Sequence, residues 1–475
     1  MTKNKVLYVT SECAPFSGTS SLSEVSYSLP HALSDEGFDI RVISPLYASV
    51  SASYFSKMEY LGKKNVALAW RIQPFSVYKY VDGKVIHYFL QNEFYFGRDN
   101  LYGYLDDNER FIYFCKAVVD TMGITGFKPN MIHTNDWQTA LVPIYMKLNY
   151  SAIPEISAVK QLFAIQHIAR QGKCDTDLIE DLLGISRHNQ CYLENSGKLN
   201  FIKGAIVVSD RFITVSPNYA AELKNSMFAV GLEGIISLNH NKFSGLLHGI
   251  DYSAYNPMTD DALFMNYGVD DISGKAVNKE ELQRMLSLKK DKNIPMISMI
   301  TKLVSQKGVD IVKLVINEIL NNNIQFILLG QGEIGYESFF DDLERRYPGK
   351  MRSIIMRNED MAHKLFAASD YFLMPSQSEP CGRSQMIASR YGAIPIVRKI
   401  GGLADSIYDV SQGGNGYVFS DFTGDELLRT TERALDDYKD KQKYEALVKK
   451  VMNTDFSWKR AAVRYTQLYE EMLSE

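Results

Sequence analysis

Glu379-Pro380-Cys381-Gly382 puts a carboxylate beside a thiol and a glycine. A carboxylate so placed accepts hydrogen bonds from hydroxyl groups and stabilises positive charge developing at an anomeric carbon. Its plain alternative is a solvated helix-capping glutamate. Thr301-Lys302-Leu303-Val304-Ser305-Gln306-Lys307-Gly308 holds two cations five residues apart, a spacing that brackets a diphosphate or that marks two solvated surface lysines. In Lys399-Ile400-Gly401-Gly402-Leu403-Ala404-Asp405 the paired glycines allow close approach of backbone to ligand and open a helix whose free N–H groups seat an anion. A tight turn explains the same two glycines equally well.

The first half of the chain has weaker candidates. Gly18-Thr19-Ser20-Ser21-Leu22-Ser23-Glu24 is rich in hydroxyls but has one glycine and no cation, so it reads as helix N-capping as readily as binding. His133-Thr134-Asn135-Asp136-Trp137 and Gln166-His167-Ile168-Ala169-Arg170-Gln171-Gly172 each set polar groups past an apolar run. A histidine there is a functional imidazole or a structural hydrogen-bonding group. Asp175-Thr176-Asp177 is spaced for a divalent metal, but Leu178, Ile179, Leu182 and Leu183 follow at helical spacing and make N-capping the expected role. The chain has no G-x-S-x-G or H-E-x-x-H arrangement.

The elements that must hold these residues form two series of short apolar runs alternating with helical periodicity, the pattern of parallel sheets with crossover helices. The first series predicts strands at Val6–Val9, Ile40–Ile43, Met131–His133, Leu162–Gln166 and Phe212–Val215, a helix over Ser21–Glu36, and a hairpin over Tyr78–Gln91 turned by Asp82-Gly83. The second predicts strands at Met296–Ile300, Phe326–Leu329, Ser353–Met356, Tyr371–Met374 and Ile394–Val397. Its helices fall at Val309–Leu320, Ser338–Tyr347, Ala362–Ser369, after Gly382 and after Gly402. Leu246–Asp260, with Gly249, Asp251 and Asn256-Pro257, has no sustained period and reads as the hinge. The expected fold is α/β with two doubly wound domains facing across a cleft at the carboxyl ends of their strands.

At 475 residues the chain is too long for one ordinary core. With 45% hydrophobic and 23% charged residues it is an ordinary globular composition. Fifty-two Lys and Arg against 56 Asp and Glu give a formal charge of -4, which leaves no general basic field for nucleic acid or an anionic membrane. The 5 cysteines (Cys13, Cys115, Cys174, Cys191, Cys381) are scattered with no C-x-x-C pair, which argues against a zinc site or disulfide framework and fits a reducing compartment. The apolar run in Met1–Thr10 is too short for a signal-peptide core, and no stretch approaches the roughly 20 apolar residues of a membrane helix. A cytoplasmic location is expected.

Taken together the segments resemble the bacterial glycogen synthase and plant starch synthase family of glycosyltransferases. The resemblance runs from Lys5-Val6-Leu7-Tyr8-Val9-Thr10-Ser11-Glu12-Cys13-Ala14-Pro15-Phe16 to Asp455-Phe456-Ser457-Trp458. It includes Thr214-Val215-Ser216-Pro217, Gly249-Ile250-Asp251-Tyr252, Ser305-Gln306-Lys307-Gly308, Pro375-Ser376, Glu379-Pro380-Cys381-Gly382, Arg390-Tyr391-Gly392 and Gly401-Gly402-Leu403-Ala404-Asp405. It implies the GT-B fold and metal-independent transfer of glucose from ADP-glucose to the non-reducing end of an α-1,4-glucan such as glycogen or a malto-oligosaccharide, with retained configuration. It also implies a domain over residues 1–247, a nucleotide-sugar domain over 248–455, and a last helix in 456–475 that crosses back to the first. No cofactor, metal, nucleic acid or membrane partner is expected.

The same resemblance implies that Glu379 contacts donor glucose, that Lys302 and Lys307 hold the diphosphate, and that Gly401 and Gly402 offer backbone donors. Cys381, Gly382, Arg383 and Leu403 complete the donor side of the second domain, and Gly18, Thr19, Ser20 and Ser21 that of the first. His133, Asp136, Trp137 and His248 belong to the acceptor or cleft. Departures cluster in the first half. Lys302 replaces an arginine, and the family's Lys-x-Gly-Gly-Leu loop reads Gly18-Thr19-Ser20-Ser21-Leu22. The His-Asp-Trp-His run reads Asn135-Asp136-Trp137-Gln138, and His248 replaces an asparagine. Ungapped alignment on Gln171-Gly172 sets Gln166 at the family's catalytic histidine and His167 at its asparagine, whereas a one-residue bulge brings the His167 imidazole to the site. Arg170 and Arg383, unusual at their positions, are candidates to replace the missing charge. The second reading these departures support is a catalytically impaired glucan-binding or regulatory homologue.

Overall fold

The computed structural model describes residues 4–475; Met1–Lys3, the start of the N-terminal segment read above, lie outside the described residues. The chain divides into two compact units. One takes the chain as far as Val215 together with Ala220–Leu246 and Ala461–Glu475; the other takes Ser216–Tyr219 and Leu247–Arg460.

The first unit is built on a nine-stranded sheet in the order Phe243–Gly245, Arg211–Thr214, Lys160–Ile165, Met131–Asn135, Lys5–Val9, Asp39–Pro45, Val85–Gln91, Arg71–Asp82, Glu59–Leu68. The first seven run parallel. Val6–Val9 is buried throughout, as an apolar run covered on both faces must be. The predicted hairpin forms at Asp82-Gly83 with Gly83 at φ 58°, and it extends the sheet antiparallel. Its outer strand, Glu59–Leu68, escapes sequence reading because Lys63, Lys64 and Asn65 give it a largely polar, exposed character suited to a sheet edge.

A further three-stranded sheet, Lys173–Cys174, Lys198–Asn200 and Glu194–Asn195, is also unforeseen, its strands being only two or three residues long. It changes the reading of Asp175: that carboxylate meets the Lys198 ammonium across the small sheet. Asp177 precedes helix Leu178–Asp181 but makes no side-chain capping bond, so the expected N-cap is not formed.

The second unit carries six parallel strands in the order Met351–Ile354, Gln325–Leu329, Met296–Ile300, Tyr371–Met374, Ile394–Arg398, Tyr417–Phe419. In chain order this is third, second, first, fourth, fifth, sixth, a doubly wound sheet whose order reverses between Met296–Ile300 and Tyr371–Met374. Ligands bind outside the carboxyl ends of strands at such a reversal. The helix expected after Gly402 starts one residue earlier, as Gly401–Ser406.

The chain enters and leaves the second unit side by side. Ile250 pairs with Ser457 in an isolated parallel bridge, and its N–H donates to the Phe456 carbonyl at 2.8 Å. The final helix, Trp458–Ser474, belongs to the first unit from Ala461 onward. Its Tyr469 hydroxyl lies 2.6 Å from His133 Nδ1, and its ring meets Phe38 edge-on.

Candidate functional site

In the first unit, the loops after three adjacent strands surround a cavity of about 830 Å³. Glu12, Thr19 and Ser20 follow strand Lys5–Val9; Asp136 and Trp137 follow Met131–Asn135; His167 and Arg170 follow Lys160–Ile165. Glu12 is 1% exposed and holds the hydroxyl-rich loop in place. Its Oε2 accepts from Thr19 N at 2.6 Å and Thr19 Oγ1 at 3.2 Å, and its Oε1 accepts from Ser20 Oγ. Ser20 also caps helix Ser21–Asp35 through Leu22 N at 3.2 Å, so the loop caps the helix and lines the cavity at once.

Asp136 organises the second wall. Its backbone is left-handed, φ 58°, which costs a non-glycine residue on the order of 1 kcal/mol. In that conformation Oδ1 accepts from Gln166 N at 2.7 Å and His167 N at 3.0 Å, while Oδ2 lies 3.0 Å from His167 Nδ1. Burial opposes a charge on His167, but the hydrogen bond and negative charge of Asp136 outweigh it and raise its pKa above the usual imidazole value. The imidazole is therefore oriented by a carboxylate while its side chain stays 45% exposed.

The strand pairing runs unbroken to Ile165, and Gln166 and His167 follow it. His167 lines the cavity. Gln166 turns the other way: it is 7% exposed and donates from Nε2 to Asn135 Oδ1 at 3.3 Å. His133 is also away from the cavity, 1% exposed among Tyr8, Tyr465 and Tyr469. Trp137 lines the cavity and is held edge-on by Phe111. Thr19 and Ser20 line it; Gly18 and Ser21 are exposed beside them.

In the second unit, the loops after Met296–Ile300, Tyr371–Met374 and Ile394–Arg398 interlock at the strand-order reversal. Gln377 N donates to Gln306 O at 2.9 Å, joining the first two. Gly308, at φ 77°, sits where an added Cβ would fall 2.0 Å from the Pro375 carbonyl oxygen. Gly402 N donates to Glu379 O at 3.0 Å, and a Cβ on Gly402 would fall 1.9 Å from the Cys381 carbonyl oxygen. Gly402 thus serves loop-to-loop contact, and its N–H is already engaged. Gln385 ties the same parts together, donating to Gly382 O at 2.8 Å and Ser406 Oγ at 3.0 Å.

At the centre of these loops Lys307 Nζ donates to both oxygens of Glu379, at 2.8 and 2.7 Å, and Ser376 Oγ donates to Oε2 at 3.0 Å. Glu379 is 7% exposed, and these three bonds fix its orientation. Lys302, in contrast, is exposed. Cys381 is an inert thiol, pushed up to about 12 by burial. Arg383 is the residue immediately before helix Ser384–Arg390, and Leu403 is buried in the short helix that Gly401 opens. His248 is buried against the Trp458 ring.

The wall formed by residues 100–108, with Tyr102 and Asn108, carries no motif noted in the sequence, and Glu12 stands there only as part of the longer segment Lys5–Phe16, with no role assigned. Glu12 had one signal: an acid directly after a buried strand, seven residues before a run of hydroxyls that need an anchor. Most of the wall is a connecting segment with no period, and Asp107 and Asn108 open helix Asp107–Thr125.

Comparison with known proteins adds identity to this geometry. A family model described as starch synthase catalytic domain matches residues 5–238, and one described as glycosyl transferases group 1 matches residues 279–451. The chain is 40% identical over 474 residues to a glycogen synthase of Clostridium perfringens, covering 99% of this chain and 98% of that one. It is 38% identical over 475 residues to a glycogen synthase of Anoxybacillus flavithermus, with 99% and 98% covered. A solved structure of the catalytic domain of starch synthase IV from Arabidopsis thaliana, bound to ADP and acarbose, is similar at TM-score 0.91 and 31% identity over 100% of both chains. Sucrose-phosphate synthase from Thermosynechococcus elongatus, at TM-score 0.61 and 14% identity over 99% of this chain and 100% of that one, shares the fold.

Proposed function

The chain belongs to the starch and glycogen synthase family of GT-B glycosyltransferases, and on that premise we propose that it transfers glucose from ADP-glucose to the non-reducing end of an α-1,4-glucan with retention of configuration. The observation that carries the reading is the whole-chain likeness to a starch synthase whose structure holds ADP and acarbose, a nucleotide and a sugar chain.

The second unit's residues support the donor half of the reaction. Breaking the bond between the anomeric carbon and the diphosphate leaves negative charge on phosphate and positive charge on the sugar. Lys302 and Lys307 neutralise the former. Glu379, fixed by Lys307 and Ser376, faces the glucose and its developing cation. Fixed charges of this kind act without reorganising during the reaction, and they supply what a metal would otherwise give a diphosphate. Transfer is therefore expected to continue in excess chelator.

In the first unit the cavity offers hydroxyl-binding groups: the Thr19 and Ser20 hydroxyls, the Asp136–His167 pair and the Trp137 ring, a face on which a sugar packs. Arg170, at the cavity wall, supplies the positive charge that the loop Gly18–Leu22 lacks.

The test is the purified protein with glycogen and radiolabelled ADP-glucose, UDP-glucose or GDP-glucose in parallel, each with and without chelator. Incorporation from ADP-glucose above the other two, unchanged by chelator, is expected. Glycogen binding with no incorporation from any donor would replace this reading by that of a glucan-binding homologue.

A further inference from the structure

Away from the cavity, helix Ser21–Asp35, the end of strand Arg71–Asp82 and strand Val85–Gln91 bring His31, Asp82 and His87 together. One ring nitrogen of each histidine and one oxygen of Asp82 all lie within 4.8 Å of one another. None of the three is among the residues lining the cavity.

His31 Nδ1 lies 2.8 Å from the Tyr27 carbonyl oxygen. A carbonyl only accepts, so that nitrogen carries the proton and Nε2 presents a lone pair in the neutral ring. A backbone carbonyl on the remote nitrogen is the usual orienting partner of a metal-bound histidine. The same Nε2 is 3.4 Å from Asp82 Oδ2. With metal–ligand bonds of about 2.1 Å, two donors on a tetrahedral ion stand roughly 3.4 Å apart, so this edge has the length that a bound zinc-class ion requires.

His87 supplies the independent observation. It is 1% exposed, and its Nε2 has no hydrogen-bond partner. Buried ring nitrogens are normally paired, and a ligand to this ring offsets that deficit. Phe16 and Phe89 pack around it, 5.0 and 6.3 Å between ring centres, forming the dry shell that strengthens coordination.

We propose that His31, Asp82 and His87 bind a divalent first-row transition ion of the zinc class, which fastens the last turns of helix Ser21–Asp35 to the hairpin. Two imidazoles and one carboxylate suit such an ion and not calcium or magnesium, which take oxygen ligands. The ion lies apart from the sugar-transfer residues, so the proposal stands whether or not the chain transfers glucose.

The test is titration of the full-length chain, freed of metal by chelator, with Co2+. One Co2+ per chain with visible ligand-field absorption is expected, displaced by Zn2+ and not by Mg2+. His31→Ala and Asp82→Asn, both at partly exposed positions, should each weaken Co2+ binding by about 10- to 100-fold while circular dichroism stays unchanged. Absence of the absorption at saturating Co2+, or equal binding by wild type and both variants, would overturn the proposal.

Discussion

Lys302 and Lys307 share a loop but not an environment, and the difference predicts different failures. Lys302 is exposed, so Lys302→Ala should leave the melting temperature unchanged and lower kcat/KM for the donor by about 10- to 100-fold, the worth of one charge-assisted hydrogen bond. Lys307→Met removes the partner of a carboxylate that is 7% exposed. It should abolish most activity and also destabilise the second unit by about 3 kcal/mol or more, because Glu379 is left buried and unpaired. Kinetics and urea unfolding on the two variants separate the outcomes; equal stability loss in both would contradict the assignment. In the first unit the raised pKa of His167 traces to Asp136. Asp136→Asn should move the imidazole titration, followed by NMR, to lower pH, shrinking the range over which the ring is charged. A titration that stays in place would show that Asp136 orients the ring without charging it.

At the scale of elements, the second unit depends on backbone running against backbone. Gly402→Ala forces a methyl onto the Cys381 carbonyl at 1.9 Å, where no flexible side chain can yield. About 1–3 kcal/mol of stability should be lost, together with donor binding, as helix Gly401–Ser406 is pushed from the Glu379 loop; an unperturbed melting curve would refute the contact.

Elsewhere in the second unit, Lys275 of helix Ser273–Met285 is buried and donates to the Ala367 and Tyr391 carbonyls at 2.9 and 3.2 Å, at the ends of two further helices. Burial lowers its pKa to about 7. The unfolded chain then binds more protons than the folded one between about pH 7 and the ordinary lysine value, so stability from this group rises with pH across that window. Compared with Lys275→Met, the wild type should gain stability between pH 7 and pH 10, read by urea unfolding. A constant difference across that range would contradict the buried-amine account.

For the molecule as a whole, the parallel sheets were legible in the sequence because buried strands such as Met296–Ile300 and Tyr371–Met374 are continuous apolar runs with turn residues at both ends. Glu59–Leu68 and the small sheet around Lys173–Asn200 were not, since an edge strand need bury only part of itself and two-residue strands have no period. Among site residues, Glu379 and Lys307 announced themselves by type and place, but their mutual bond did not: residues 72 apart in sequence meet only through the strand order. The role of Glu12 stayed hidden for the same reason, its partners Thr19 and Ser20 lying in a loop whose sequence reads as capping or binding without naming an anchor. Which of Gln166 and His167 lines the cavity was beyond sequence, because it turns on the direction of each side chain: His167 lines it beside Asp136, and Gln166 bonds to Asn135. Among the described residues no helix is long and apolar enough to cross a membrane. The net charge of -4 leaves the anion-binding groups few and local, consistent with one anionic donor and a neutral acceptor.

The central claim is the transfer itself, and its product is the most direct witness. Maltoheptaose incubated with the purified chain and radiolabelled ADP-glucose should gain label that β-amylase releases as maltose, which requires a new α-1,4 bond at the non-reducing end. Absence of label in the oligosaccharide, or label that β-amylase cannot release, would contradict the account.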